Sequence, residues 1–402
     1  MKNISKKLSA LLALLLTCTF AFSACSFAMN APNNNSSKSE SSKRSSSKKD
    51  AGDEDDETEE NMVLKAVSPL DGKMVSLVND EVSEFLEDYD LGYSAEYATG
   101  EDHFAMKGLD LKWEAEDSAE EYEVTLSLDE ELESATIYTT EKAKLHVDDL
   151  FVNKQYYWQV SALADGEEIA KSEIYTFKTF ATPRTISIEG VSNTRDLGGK
   201  NTESGKKLKQ GRIYRGAYLD EVTETGIKQA LETYGIKTDL DLRKSAEGTA
   251  GTSSPLGNGV KYLQYSCPYY LGKDGIDNQD NWENLAKAIK VFAKEENYPV
   301  FFHCSVGRDR TSMVAMLLEG LLGVSKEDIW IDYEMSFFSV RGCLDKADPQ
   351  RMVNTFLNTY NYLADNYAED NSSFSAACEA FLLEIGVTQA EIDAIRENML
   401  EN

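Results

Sequence analysis

Three stretches between residues 109 and 162 alternate apolar and polar side chains. Leu109, Leu111, Trp113 and Ala115 fall on one side of an extended chain, as do Tyr122, Val124, Leu126 and Leu128, and again Tyr156, Trp158, Val160 and Ala162. A period of two is that of a strand with one buried face, so residues 63–182 read as an all-β sandwich. Within it, Val75 to Lys107 reads as an insertion or an irregular strand pair. The pattern changes after residue 185. Thr238–Leu242, Tyr262–Tyr265 and Val300–Phe302 are short apolar runs of strand length. Between them, Trp282, Leu285, Ile289 and Phe292 recur at helical spacing, and Met313–Leu322 is an apolar helical stretch. Helix starts are marked by Ser325 with Asp328, by Asp348 before Pro349, and by Thr388 with Glu391 at capping-box spacing. Strands alternating with helices predict an α/β body over residues 185–402, with a central, mostly parallel sheet flanked by helices. The chain is therefore multidomain, an all-β sandwich followed by an α/β body.

The first 62 residues follow neither pattern. Lys2, Lys6 and Lys7 precede an apolar run, Leu8–Phe22. That run is short against the ~20 residues of a membrane span and has the form of a signal-peptide core. It ends in Phe22-Ser23-Ala24-Cys25, which resembles the lipobox of bacterial lipoproteins. The resemblance implies a signal peptide over 1–24, cleavage before Cys25 and lipidation of its thiol, although Phe22 stands where Leu is usual. An ordinary secretory signal is the alternative. Residues 25–62 are rich in Ser, Asn and Lys and then acidic from Asp53 to Glu60, with only Thr58 interrupting. Such a stretch buries no core and reads as a disordered tether, roughly 30–36 Å end to end. The expected location is the extracellular face of the bacterial cell membrane, held by a lipid anchor.

Lys and Arg number 41 against 70 Asp and Glu, a net charge of −29. That balance offers no broad basic face and argues against a nucleic-acid partner. It also repels polyanions at long range, so affinity for phosphate has to be local. Cys18 and Cys25 leave or are modified with the leader; Cys267, Cys304, Cys343 and Cys378 are spaced neither as a disulfide framework nor as a zinc site. His103, His146 and His303 are scattered. Neither a metal site nor a cofactor is expected.

The candidate chemistry lies at Phe301–Ser312, FFHCSVGRDRTS. A cysteine between a strand and a helix faces the positive end of the helix dipole, which favours thiolate. The backbone N–H groups of Ser305, Val306, Gly307 and Arg308 can form an anion cradle, and Arg310 adds a fixed cationic fork. Nucleophile, cradle and clamp thus share one loop. Arg308 either points to the rim, where it can hold a second phosphate, or pairs with a carboxylate.

Two resemblances add to this. The run from Leu150 through Tyr156, Trp158 and Val160, with the early Trp113, is similar to a fibronectin type III domain. It implies a seven-strand sandwich with a tyrosine corner, used as a spacer or as the docking surface for a protein partner. Residues 185–400 resemble the bacterial tyrosine-phosphatase-like family of cysteine-dependent tyrosine and lipid phosphatases, whose loop reads His-Cys-x-x-Gly-Lys-Asp-Arg-Thr-Gly. The matching segments are Asn193–Gly199, Arg212–Gly216, Asp239–Arg243, His303–Thr311, Asp332-Tyr333 and Gly386–Ile395. Arg308 replaces the usual Lys and Ser312 the usual Gly. The resemblance implies that Cys304 attacks phosphorus to form a cysteinyl-phosphate, that Arg310 and the loop N–H groups hold the oxygens, and that a carboxylic acid protonates the leaving group. Asp309 is the first choice for that acid and Asp241 the second, with Asp274, Asp277 and Asp280 in a possible lid. Thr311 is expected to donate its hydroxyl to Cys304. His303 either tunes Cys304 or is a structural imidazole, and Arg195 and Arg243 either touch substrate or form structural ion pairs. The substrates implied are a phosphorylated protein, a phosphoinositide or an inositol phosphate; the alternative is a surface binding protein with an inactive phosphatase body.

Overall fold

A computed structural model describes residues 62–87, 89–90, 92–104, 106–244, 251–343, 348–368 and 373–401. The leader, the Cys25 lipobox and the tether to residue 61 lie outside the described residues. The described residues form one compact unit.

The β body contains ten strands: β1 (Met62–Leu64), β2 (Ala66–Ser68), β3 (Lys73–Val75), β4 (Leu109–Trp113), β5 (Glu121–Ser127), β6 (Thr136–Thr140), β7 (Lys144–Val147), β8 (Gln155–Ala164), β9 (Glu167–Ser172) and β10 (Tyr175–Thr179). Long β8 organises the larger sheet. β5 pairs along one side of it, and β10 and then β9 share the other. β2, β4 and β7 form a second, three-stranded sheet. Aromatic and β-branched residues dominate β8, as suits a pleated, half-buried surface. Tyr156, Trp158, Val160 and Ala162 all point into the core, where they meet Leu111 and Trp113 of β4 and Phe177 of β10. Each fully buried side chain of this size contributes about 1.5–3 kcal/mol. The alternation predicted from sequence holds except at Ala115 and Leu128, which lie past the ends of β4 and β5 and are exposed. The Tyr156 hydroxyl accepts a hydrogen bond from the Phe151 N–H at 2.7 Å, pinning the turn into β8.

Of the two readings of residues 75–107, the insertion holds. Between β3 and β4 the chain forms α1 (Asp80–Glu87) and a short turn of 3-10 helix, Tyr93–Glu96, with an antiparallel bridge between Val78 and Met106 at its ends. Asn79 Oδ1 caps α1 by accepting from the Val82 N–H at 2.9 Å, and Asp80 and Glu81 suit its positive end. The apolar side chains of this segment pack on the α/β body, with Val78, Val82, Phe85 and Phe104 meeting Ile331, Met335 and Phe338.

The α/β body has a six-stranded sheet built from β11 (Arg184–Thr185), β12 (Arg195–Asp196), β13 (Ile213–Gly216), β14 (Thr238–Asp241), β15 (Lys261–Gln264) and β16 (Val300–His303), in the order β11-β12-β13-β16-β14-β15. The last four are parallel, and β11–β12 adds an antiparallel edge, so the sheet is mixed. β16 is central and fully buried. Phe302 enters the large core with Met313 and Leu317, while Phe301 enters a smaller core with Tyr214 and Ile236 on the other face. A strand covered on both faces reads as a continuous apolar run, which is how it stands in the sequence. The helices are α2 (Glu224–Lys228), α3 (Trp282–Lys290), α4 (Asp309–Leu321), α5 (Lys326–Glu334), α6 (Pro349–Tyr367), α7 (Phe374–Glu384) and α8 (Gln389–Met399). Ser325, Asp348 and Thr388 are N-caps as predicted, and Thr388 with Glu391 forms the full capping box.

A polar seam joins the two bodies. Arg184 donates to Asp196 Oδ2 at 2.8 Å and to the Asp149 carbonyl at 2.9 Å, with its guanidinium 4.6 Å from the Phe151 ring centre. Gln210 exchanges two hydrogen bonds with the backbone of Val152. Asn153 donates to the Gly199 carbonyl at 3.1 Å.

Candidate active site

β16 ends at His303, opposite Gly216 of β13 on one side and Asp241 of β14 on the other. The next residue, Cys304, is therefore delivered to the carboxyl edge of the parallel strands, where α/β folds bind ligands. Residues 304–308 turn tightly into α4, whose first residue is Asp309. The turn requires Gly307. Its φ is +71°, and a Cβ there would stand 2.4 Å from the carbonyl carbon of Gly216. A side chain at this position would clash with β13 as well as strain the backbone.

Loop geometry is fixed from behind by buried charges. Arg215 donates to the Gly307 carbonyl at 2.8 Å and to the Ser312 hydroxyl at 2.6 Å, and also reaches Asp332 Oδ2. Ser312 is thus a fixed acceptor and not merely a tolerated replacement. Arg195 donates from Nε to Asp332 Oδ1 at 2.9 Å and from NH1 to Asn193 Oδ1 at 2.6 Å. Asn193 in turn donates to the Val306 carbonyl at 2.9 Å. Arg195 has no solvent exposure and is a brace of the loop, which decides between the two roles expected for it. Burial pushes the Asp332 carboxyl up, but Arg195 and Arg215 outweigh it and hold the group well below the usual range. Nearby Glu319 is buried without a hydrogen-bonded oxygen and stands beside Lys200 at 3.1 Å; burial and the Asp332 charge push it up to about 8.

His303 is buried, with Nε2 2.9 Å from Asp239 Oδ1 and Nδ1 3.2 Å from the Cys304 carbonyl. Burial lowers its pKa, and the charges of Asp239 and Asp241 more than offset this, leaving it raised from 6.5. Its contacts are with Asp239 and the backbone, so it holds the base of the loop.

Arg310 lies with its guanidinium carbon 4.7 Å from the Tyr269 ring centre. It reaches the Leu242 carbonyl and Ser305 Oγ at 3.5 Å, long for hydrogen bonds. Asp309 Oδ1 accepts from the Tyr270 hydroxyl at 2.6 Å, which is itself 2.9 Å from the Tyr333 hydroxyl. Tyr270 carried no pattern of its own in the sequence; its role is visible only once the 268–281 loop is placed beside α4.

Two expectations are corrected, and Arg308 takes the second of its two readings. It does not point to the rim but pairs with a carboxylate. It folds back, with Nε 3.1 Å from Asp309 Oδ1, NH1 on the Gly342 carbonyl, and its guanidinium 5.8 Å from the Phe337 ring. Asp241 is buried and saturated: it accepts from the Arg243 N–H at 2.9 Å and from Arg243 NH2 at 2.8 Å, and from the Tyr262 hydroxyl at 3.1 Å. Burial raises its pKa, but Arg243 and His303 outweigh that and hold it below the ordinary carboxylate value, the wrong direction for a proton donor. The Thr311 hydroxyl is buried and makes no hydrogen bond among the described residues, so the expected donation to Cys304 is not formed. The loop carrying Asp274, Asp277 and Asp280 is also less free than a lid. Asp277 accepts from the Gly272 N–H at 2.6 Å, Asp274 pairs with Lys244 at 2.8 Å, and Trp282 Nε1 holds the Ile276 carbonyl at 2.7 Å. Among the described residues, no cluster of three or more His, Cys, Asp and Glu side chains is placed to hold a metal ion.

Residues 186–401 match the tyrosine phosphatase family. The chain belongs to that family. A protein of Cupriavidus necator that carries the name tyrosine-protein phosphatase is 27% identical over 168 residues, 37% of this chain and 61% of that protein. The tyrosine-protein phosphatase of Nostoc commune is 28% identical over 147 residues, 32% of this chain and 49% of that protein. The chain thus spans less than two thirds of either relative's length. Among solved structures, the core catalytic domain of a PP-IP phosphatase from S. cerevisiae is 18% identical, with 39% of this chain and 90% of that domain covered and a TM-score of 0.26. Asn193 and Arg195, Arg215, Asp239, and Asp332, from four of the segments on which the resemblance in sequence rests, converge on the loop.

The His303–Asp239 pair makes a pH prediction. A histidine whose folded pKa is raised contributes stability that is fully present below its unfolded value of about 6.5 and is lost as pH rises through the folded value. The stability difference between wild type and Asp239→Asn should therefore be largest near pH 5.5 and shrink toward pH 8.5, by at most about 1.4 kcal/mol per pH unit. Urea unfolding across that range measures it; a difference independent of pH would show that the imidazole is neutral in the folded protein.

Proposed function

We propose that the protein is a cysteine-dependent phosphatase that hydrolyses phosphomonoesters, with phosphotyrosine as the favoured substrate class. The observation that carries this is the loop itself. Cys304, a backbone turn that only Gly307 permits, and Arg310 at the start of α4 occupy one carboxyl edge, and Arg215 and Asn193 hold the carbonyls of that turn from behind. In the first step the Cys304 thiolate forms an S–P bond as the P–O bond to the leaving group breaks. The leaving oxygen takes a proton from Asp309. In the second step water forms a P–O bond, its proton passes to Asp309, and the S–P bond breaks to return thiolate. Arg310 and the N–H groups of residues 305–308 balance the charge on the equatorial oxygens. Asp309 is preferred to Asp241 because its Oδ2 has one long contact, 3.3 Å to Arg308, whereas Asp241 is fully committed. A body lacking activity would be expected to lack one of these parts.

Substrates with several phosphates are disfavoured by the same geometry. Of the cations around the loop, Arg308 pairs with Asp309, Arg243 with Asp220 and Asp241, and Arg341 with Glu221. None of these three offers an unmatched charge to a second phosphate.

Cys304→Ser should abolish turnover of an aryl phosphate while vanadate still binds; wild-type turnover in that variant would end the mechanism. Asp309→Asn should slow an alkyl phosphate by about 10²-fold and an activated aryl phosphate much less, because a good leaving group needs no proton. Should Asp241→Asn show that dependence and Asp309→Asn not, the acid is Asp241.

We further propose that lipid on Cys25 holds the enzyme at the outer membrane face, supported by the Phe22–Cys25 lipobox pattern. Cys25→Ala should release unlabelled protein from cells fed a labelled fatty acid. A wild type found wholly soluble and unlabelled would refute the anchor.

A further inference from the structure

We propose that the helical insertion of the β body, Leu77–Phe104, is a positioning element of the phosphate loop, so that the β body completes the active site in cis. The inference rests on Cys304–Arg310 being the phosphate-transferring loop.

The insertion grips the elements that hold that loop. Glu334, at the end of α5, is a buried carboxylate of the α/β body whose hydrogen-bond partners among the described residues come from the insertion: the Gly92 N–H at 2.9 Å, the Ser94 N–H at 3.1 Å, the Ser94 hydroxyl at 2.6 Å and the Tyr89 hydroxyl at 3.1 Å. Without them it would be a buried charge with no compensation, which is strongly destabilising. One turn on, Phe338 packs against Phe85 with ring centres 5.1 Å apart and stacks on Tyr97 at 5.0 Å, and its carbonyl accepts from the His103 N–H at 2.8 Å.

The gripped turn leads directly to the loop by two routes. Asp332 and Ser336, on either side of Glu334, bind Arg195. Phe104 lies over that same guanidinium, its ring centre 5.8 Å from the guanidinium carbon. Arg195 holds Asn193 and thereby the Val306 carbonyl, and Asp332 holds Arg215 and thereby the Gly307 carbonyl. By the second route, Phe337 and the Gly342 carbonyl hold Arg308, which holds Asp309. The insertion thus acts on the loop through these braces. They fix the direction of the loop's carbonyls, and with it the direction of its N–H groups.

Such a role predicts loss of kcat with little change in KM, since a misaimed cradle loses contacts made in the transition state. Phe104 is the informative position. It borders a cavity of about 510 Å³. In the full chain, Phe104→Leu keeps an apolar side chain but removes the ring from Arg195, whereas Phe104→Tyr keeps the ring. Val124→Ala, deep in the β-body core, serves as a control that weakens the β body away from the insertion. With folding verified by circular dichroism at the assay temperature, Phe104→Leu should lower kcat on an aryl phosphate about tenfold with KM within twofold. Phe104→Tyr and Val124→Ala should stay within twofold of wild type. If Phe104→Leu does not fold, the pair Tyr89→Phe and Ser94→Ala, which strips two hydrogen bonds from Glu334, should produce the same split. A folded insertion variant with wild-type kcat, or an equal loss in Val124→Ala, overturns the inference while leaving the phosphatase reading intact. A wild-type chain that turns over no phosphate ester removes both.

Discussion

The carboxylate of Asp332 is the constraint on which the site is built. It lies in the interior between two guanidinium groups, Arg195 and Arg215, neither of which is exposed. Charges so placed pay a desolvation cost of several kcal/mol each, and an apolar cluster of the same volume would often be as stable. What an apolar cluster could not supply is direction. Arg215 has donors left over for the Gly307 carbonyl and the Ser312 hydroxyl, and Arg195 has one for Asn193. A turn whose carbonyls are drawn outward presents its N–H groups inward, and that is the condition for binding an anion. Lys200 and Glu319 complete the cluster. Lys200 stands 3.1 Å from Glu319 and 3.7 Å from Asp332, which adds a cation beside both buried carboxyls.

Much of this was written in the sequence, but as fragments. The strand ending at His303, the Cys304–Arg310 spacing and the three N-caps could be read because each depends on neighbours within a few residues. β8 could be read because a half-buried strand repeats every two residues. What the order of residues could not show is which charge answers which. Arg308 is two residues from Arg310, and spacing alone allowed it to face the rim; a backbone carbonyl 34 residues later, at Gly342, turns it inward. Asp241 looked available because it ends a strand at the ligand-binding edge, yet Arg243, two residues on, uses it up. Tyr270 had no periodicity or motif to mark it, and its contact with Asp309 spans 39 residues. That the insertion is helical was missed for a related reason. α1 is only two turns long, and its apolar face, Val82 and Phe85, makes sense only against α5 and the turn after it.

The charge arrangement also accounts for how a chain of net charge −29 can favour a phosphate. At long range the protein repels anions, but exposed charges are screened within about 8–10 Å at physiological salt. Near the loop, acid and base are matched almost one to one: Arg308 with Asp309, Lys244 with Asp274, Arg341 with Glu221, and Arg243 with Asp220 and Asp241. Arg310 reaches the Leu242 carbonyl and Ser305 Oγ at 3.5 Å, and its flat face rests on Tyr269. With those cations matched, attraction for a phosphoryl group is confined to the loop itself, to the N–H groups of one turn, the end of one helix and the guanidinium that starts it. Confinement favours a single phosphate on an otherwise weakly charged body over a polyanion, which would gain little from cations already matched and would still meet the acidic surface around them.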